Sequence, residues 1–417
     1  MTIMLRALFL FLFLIFSSQS AHSYQGALNR LTRHLLAQHD KNAPPDGAVI
    51  VTHEMELVHI LNIDELKQSM RVLVYIVEEW TDPSLSWDPA SFSGVNITWL
   101  PEHSIWVPDI LVFNMLDHQD LLHSVRSPIK VYHTGRVWFS YPAIYSVMCT
   151  IGVAKFPFDD QTCRLRIASW GYPEGKLYIN ATRMPYLTHY SPNEEWALQS
   201  VNISSRHYEH EGTIVSEACY LVSVSRKPFY YLVSLVIPTY IICMLSVSGL
   251  FARFSTRHER QERFTLGVTS ILSMAVLSVV VTEKVPHSSE EVPLLVTYFH
   301  FNMVIVTIAT ILTSSVMRVD TKGYTHDKSP PRWITSILLI RTHRWNRTQQ
   351  ANNGEIATKR QVRHLLAKQW GEVSRRMDYG LLLVFLLFIS APTVYLFYLC
   401  AVMDNMTPER VLLETRT

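Results

Sequence analysis

Cysteine is scarce in this 417-residue chain: there are five, at positions 149, 163, 219, 243 and 400, too few for a fold stapled throughout by disulfides. No nucleophile elbow, phosphate-cradling loop or paired-carboxylate motif stands out, and the histidines lack metal-ligand spacing, so an enzyme is not expected, nor a cofactor or resident metal. No repeat or low-complexity tract interrupts the N-terminal half. Charge is nearly balanced, 37 Lys and Arg against 35 Asp and Glu, which gives no reason to expect a nucleic-acid partner.

What the chain has is apolar length, unevenly distributed. Four runs approach the length needed to cross roughly 30 Å of hydrocarbon. They are Phe229–Ala252, Phe264–Thr282, Leu294–Met317 and Tyr379–Met403. The tract RFSTRHERQER between the first two holds four Arg, and 318–378 is also rich in Lys and Arg; the link 283–293 has three Glu and one Lys. The positive-inside rule therefore puts the basic tracts in the cytoplasm and the link outside, with both termini outside. Residues 1–23, with one Arg, a short apolar core and small residues near Ala21, read as a signal peptide. Cys243 and Cys400 fall inside spans, leaving Cys149, Cys163 and Cys219 in an oxidising compartment, where one pair and one odd thiol is the arithmetic.

Between the signal and the first span, residues 24–228 contain a short amphipathic helix, 27–38, and then short alternating runs such as VLVYIV, VYHTGRVWFS and CRLRIASW, punctuated by Pro, Gly, Asn and Asp. That pattern predicts an extracellular antiparallel β-sandwich. Alternation stops at Arg226-Lys227-Pro228, where the apolar run begins. The remaining organisation follows: three helices over 229–317, a cytoplasmic loop 318–378 carrying a charged amphipathic helix at 355–377, a fourth span at 379–403 and a tail at 404–417. Asn96, Asn180 and Asn202 open possible glycan acceptor triplets in the exposed half.

The stretch Cys149-Thr-Ile-Gly-Val-Ala-Lys-Phe-Pro-Phe-Asp-Asp-Gln-Thr-Cys163 closely resembles the signature loop of the Cys-loop receptors, the pentameric ligand-gated ion channels. Trp80-Thr-Asp-x-x-Leu85-x-Trp87, Trp106-Val-Pro-Asp109 and Ser169-Trp170-Gly-Tyr172 resemble further landmarks of that family in the same order, and the match spans about 25–405. It is most similar to a non-α nicotinic acetylcholine receptor subunit. The resemblance implies a disulfide between Cys149 and Cys163, which in the chain-entropy model stabilises by roughly 3 kcal/mol and holds the apolar tip Phe156-Pro157-Phe158 rigid.

In the second span Thr265, Thr269, Leu272, Val276, Val279 and Glu283 recur at spacings of four, three, four, three and four, a single helical stripe. Taking Glu262 as the cytoplasmic start, as the resemblance implies, five copies would ring a pore with carboxylates at both mouths and an apolar middle able to close by dewetting. Gln261-Glu262 stands where anion-selective relatives usually carry Pro-Ala, which favours cations: sodium, potassium and, as an open matter, calcium.

The resemblance also implies an aromatic site for an acetylcholine-like amine between subunits, held by cation–π attraction. The principal-face positions are Phe113, usually Tyr in the family, Trp170 and Tyr208, with Val215 at a position that is usually Tyr. On the complementary face stand Tyr75, Arg136, Trp138 and Ser140. His210-Glu211 replaces the adjacent cysteine pair of α-type subunits. Coupling to the pore is implied for Glu65, the Phe156-Pro157-Phe158 tip, Arg226 and Pro286, with Glu65 and Arg226 expected as an ion pair. The chain is thus expected in the plasma membrane, postsynaptic, among lipid and four homologous subunits of a homo- or heteropentamer. An accessory subunit that binds no transmitter, and an anion-selective relative, stay open as alternatives.

Overall fold

The computed structural model describes residues 26–120, 127–181, 187–210, 212–252, 259–283, 292–325, 329–338 and 359–406. The signal-peptide assignment, Glu211, Pro286, residues 355–358 and the tail from 407 lie outside them. The chain divides into two compact units, one of β-strands and one formed by the helices after Arg226 together with residues 152–159.

The first unit opens with α1 (26–38), whose Ala27, Leu31 and Leu35 are spaced four apart and fully buried, one apolar stripe of a helix. The strands follow as β1 (Val49–Asp64), β2 (Ser69–Ser86), β3 (Ile97–Leu100), β4 (Ile110–Val112), β5 (Met115–Asp120) and β6 (Ile129–Tyr132). After these come β7 (Thr134–Met148), β8 (Asp160–Ser169), β9 (Leu177–Asn180), β10 (Trp196–His210) and β11 (Thr213–Arg226). Among the described residues, seven strands form one sheet in the order β3-β6-β7-β2-β1-β9, with β5 on β7, and four form another in the order β10-β11-β8-β4. Burial alternates along β1, β2, β7 and β8 with the two-residue period of a pleated strand, so the apolar set of each sheet faces inward. β9 departs from the antiparallel pattern: it runs parallel to β1, pairing Val49 with Leu177 and Thr52 with Asn180.

The β1–β2 hairpin is held by its turn chemistry. Asp64 accepts from the Lys67 amide at 2.9 Å, and Gln68 takes a left-handed conformation at φ 52°. The Trp motifs are core: Trp80 and Trp106 are buried and meet edge to face at 6.2 Å. Gly135, at φ 80°, lies where a Cβ would sit 2.4 Å from the Asp82 carbonyl, so only glycine fits the tight entry to β7. The disulfide Cys149–Cys163 is formed, with Cα atoms 5.1 Å apart, and Cys219 is a buried free thiol.

The second unit contains α2 (Phe229–Phe251), α3 (Glu259–Thr282), α4 (Leu294–Thr325), α5 (Arg332–Ile337) and α6 (Lys359–Met406). Segments of α2, α3, α4 and α6 are long and apolar enough to cross a membrane. Their shared core comprises Cys243, Val247 and Leu250 of α2, Met274 of α3, Val306 and Ala309 of α4, and Phe385 and Ile389 of α6. Inside α2, Leu232–Val236 winds as a π-helix. The charged helix and the fourth span are one uninterrupted element, Lys359–Met406.

Candidate ligand site and pore-lining helix

On the four-stranded sheet, Asp109 organises the loop that carries Trp170. Its carboxylate accepts from the Ser169 hydroxyl at 2.5 Å and from the Gly171 amide at 2.6 Å, while its carbonyl receives the Trp170 amide. These bonds hold the indole outward, 73 % exposed, where an ordinary tryptophan would be buried. Phe113, at the end of β4, stacks tilted against it with ring centroids 5.7 Å apart. The Phe113 amide is fixed by the Arg166 carbonyl at 2.7 Å, so β8 positions both rings.

Arg166 was not among the sequence-predicted residues, yet it links the third of them. Its guanidinium makes a bidentate pair with the buried carboxylate of Glu217 on β11, at 2.6–3.1 Å, and lies 5.9 Å from the ring of half-buried Tyr208 on β10. The Glu217 carboxylate in turn holds the Arg166 proton more tightly than an isolated guanidinium would. Val215 is buried and adds no aromatic face. His210 sits at the hairpin tip before Gly212, which takes φ 78°.

A second pair ties the hairpin to the Trp170 loop. His207 of β10 approaches Glu174 through Nδ1 at 3.0 Å, and the Glu174 amide donates to the Ile214 carbonyl at 2.8 Å. The His207 ring lies nearly parallel to Tyr178 of β9, 6.4 Å away.

The predicted complementary residues share the outward face of the seven-stranded sheet. Ser140, Trp138 and Arg136 pair with Val77, Glu79 and Thr81 of β2, and Tyr75 continues that row. Arg136 lies over Tyr132 at 4.2 Å and pairs loosely with Glu79 at 3.6 Å; Lys130 stands 5.8 Å from the Trp138 ring. These two cations pull the Tyr132 hydroxyl below the usual phenol range, Lys130 contributing most. Tyr75 packs against His189, whose Nδ1 meets Glu56 at 2.9 Å. Asn96 and Asn202 are exposed and Asn180 is half-buried on β9.

Among the coupling residues, Glu65 lies half-buried in the β1–β2 turn. Within the helical unit, buried Arg226 binds the Asp159 carboxylate at 2.9 and 3.3 Å and lies 4.8 Å from the Phe156 ring, which meets Tyr231 edge to face at 5.0 Å. Pro157 follows Phe156 through a cis bond, and Phe158 is buried. The Ala154 and Phe156 carbonyls accept from the Leu294 and Leu295 amides, so the tip is bonded to the first turn of α4.

On α3, Glu262, Thr265, Thr269, Leu272, Val276, Val279 and Glu283 are all exposed, while Gly267, Ser270, Met274, Ser278 and Val281 are buried. The chain thus covers one face of α3 and leaves the acidic-ended stripe open. The covered face fits closely: a Cβ on Gly267 would lie 2.3 Å from the Thr310 hydroxyl of α4. Next to Glu262, buried Arg263 donates to the Ala252 carbonyl at 2.6 Å and reaches Thr313, fixing the start of the helix.

A β-sandwich bearing an exposed aromatic corner, joined in sequence to four membrane-length helices of which one presents a polar and acidic stripe, is the architecture of a ligand-gated membrane channel. The chain belongs to the neurotransmitter-gated ion-channel family: the family's ligand-binding-domain model matches residues 28–228 and its transmembrane-region model matches 235–365. It is 62 % identical over 398 residues to the proton-gated ion channel subunit pbo-6 of Caenorhabditis elegans, covering 95 % of this chain and 93 % of that one. It is also 31 % identical to the acetylcholine receptor subunit alpha-type deg-3 of C. elegans, over 75 % of this chain and 58 % of the relative. The neuronal acetylcholine receptor subunit alpha-2 of Rattus norvegicus matches at 31 % over 79 % of this chain and 65 % of its own length. Pentameric assembly accords with the family and its fold.

Proposed function

We propose that the chain is a subunit of a cation-selective pentameric channel of the plasma membrane, opened by extracellular protons. The open stripe on α3, carboxylates at both ends and Leu272 and Val276 in its middle, supports a cation path for sodium and potassium, since rings of carboxylates concentrate cations. The trigger rests on one observation above others: 62 % identity along nearly the whole chain to a subunit named as proton-gated. The aromatic corner is consistent with this reading, because Phe113 brings no hydroxyl and Val215 no ring to an amine site. The β-sandwich faces outward with both termini, and the basic tracts face the cytoplasm.

A second reading, an acetylcholine-like amine as agonist at a synapse, is favoured by Trp170. Its exposed face beside Phe113 is a surface on which a quaternary ammonium gains cation–π attraction of about 2 kcal/mol once desolvated. Whole-cell recording of the subunit alone and with α-type partners separates the readings. Currents evoked by bath acidification, with reversal following the sodium gradient, are expected. Currents evoked only by acetylcholine or choline would move the trigger to the amine. Reversal following chloride would overturn cation selectivity, and silence of the subunit alone with amine-evoked currents only beside α-type partners would make the chain an accessory subunit.

A further inference from the structure

The loop that carries Trp170 is fastened to both strands of the β10–β11 hairpin, by a backbone bond to β11 and by a side-chain pair to β10. The backbone bond, Glu174 amide to Ile214 carbonyl, does not respond to pH. The side-chain pair does: a neutral imidazole meets Glu174 through an ordinary hydrogen bond, whereas an imidazolium makes a charge-assisted one of roughly twice the strength. We propose that His207 is a proton-binding site of this channel, and that its protonation locks the β10–β11 hairpin onto the Trp170 loop through Glu174. The proposal rests on the reading that protons open the channel, and it names where one of them binds.

Three features of the geometry carry it. His207 Nδ1 and Glu174 Oε2 are 3.0 Å apart, already at bonding distance, so protonation strengthens a contact without a search for a partner. Both side chains are accessible to the bath, 50 % and 29 % exposed, so a proton can arrive from solvent. The Tyr178 ring of β9 lies nearly parallel to the imidazole, 6.4 Å away, an aromatic neighbour beside the ring that meets the carboxylate. The charged and titratable neighbours among the described residues come from three elements and the loop. Glu174 comes from the loop and Tyr178 from β9; Arg206, Tyr208 and Glu209 lie along β10 itself; Glu217 of β11 is already bound by Arg166. Glu174 is the carboxylate that the His207 ring meets, so the new positive charge has a defined receiver.

The test is the proton dose–response of the assembled channel in cells. His207→Ala and Glu174→Gln are each expected to move half-activation to more acid bath by about half to one pH unit, and the double variant by no more than either alone. His207→Lys, positive at every working pH, is expected to move it the other way. Where alanine lowers surface labelling, His207→Gln keeps a neutral donor and should show the same acid shift. Wild-type channels that respond to protons, with half-activation unchanged in His207→Ala and Glu174→Gln, overturn the site but leave proton gating intact. Wild-type channels silent to acid overturn the gating reading and this site with it. A readout independent of current is hydrogen exchange of β10 peptides in the purified channel, corrected for intrinsic rates. Protection should rise on acidification in the wild type and not in His207→Ala; equal behaviour of the two overturns the proposal.

Discussion

Glu78 and His53 show how burial sets the pH response of the sandwich from single residues. They stand opposite one another on β2 and β1, both buried. Burial pushes the Glu78 carboxyl up to about 8, with Tyr141 donating at 3.1 Å, and holds His53 down at about 4, where it meets the Tyr220 hydroxyl. Glu78 binds its proton more tightly folded than unfolded, so its contribution is complete below about 4.5 and is lost as pH rises to about 8. His53 is the reverse, losing its contribution as pH falls from about 6.5 to about 4. The two slopes oppose each other between 4.5 and 6.5; above that only Glu78 acts. Thermal melting of the full channel should therefore show stability falling between about 6.5 and 8 in the wild type, and Glu78→Gln should flatten that limb. The buried Arg226–Asp159 pair gives a second residue-scale expectation. Asp159→Asn removes a carboxylate from a buried guanidinium, a change on the order of 3 kcal/mol, and should sharply cut surface abundance, as surface biotinylation would read. None of these pairings was legible in the sequence. Arg226 stands 67 residues from Asp159, Arg166 51 from Glu217 and His207 33 from Glu174, and no local signal joins a charge to a partner that far along the chain.

At the scale of elements the sequence was far more informative, because a helix or strand is specified by its own residues. The apolar runs appear as membrane-length helices, and the alternating runs as strands whose even and odd positions divide between core and surface. Three things were not local and were not read. β9 is only four residues long, and its parallel place beside β1 is set by the path of the chain around it. Helix α4 runs on to Thr325 because helical geometry continues past the apolar stretch. The last span and the charged helix before it run on as one continuous helix for the same reason. Close packing of α3 against α4 is likewise a property of the pair. Thr310 is buried, β-branched and bonded to the Val306 carbonyl at 2.8 Å, so it has little room to yield to a Cβ at position 267. Gly267→Ala should destabilise the helix pair by about 1–3 kcal/mol. Thr310→Ala in the same chain removes the two nearest atoms and should restore much of the lost surface expression, whereas an equal loss in the double variant would mean that the contact does not limit packing.

For the whole molecule, the consequence of that packing is directional: by burying Gly267, Ser270, Met274 and Ser278, the chain dictates which face of α3 is left uncovered. The stripe was legible beforehand as a spacing of four and three, but its isolation from the rest of the bundle was not, since that depends on which helices cover the opposite face. Cysteine substitution tests the assembled arrangement directly. If five copies turn this face to water, cysteines at Thr265, Thr269, Leu272, Val276 and Val279 should react with a small charged thiol reagent applied to open channels, and the current should fall as each is modified. Cysteines at Ser270, Met274 and Ser278 should resist under the same conditions, since they lie among α3's neighbours. The three native thiols outside the disulfide, buried Cys219, Cys243 buried against Met274 and half-buried Cys400 on α6, are replaced by serine or alanine beforehand. Neutralising Glu262 to Gln should then lower cation conductance without altering that accessibility pattern, because the charge acts on ion concentration at the mouth and not on how the helix is packed. A reactivity pattern with no helical period, or one shifted onto the Met274 face, would show that the pore is lined by other residues and would remove the basis for assigning selectivity to the two glutamates.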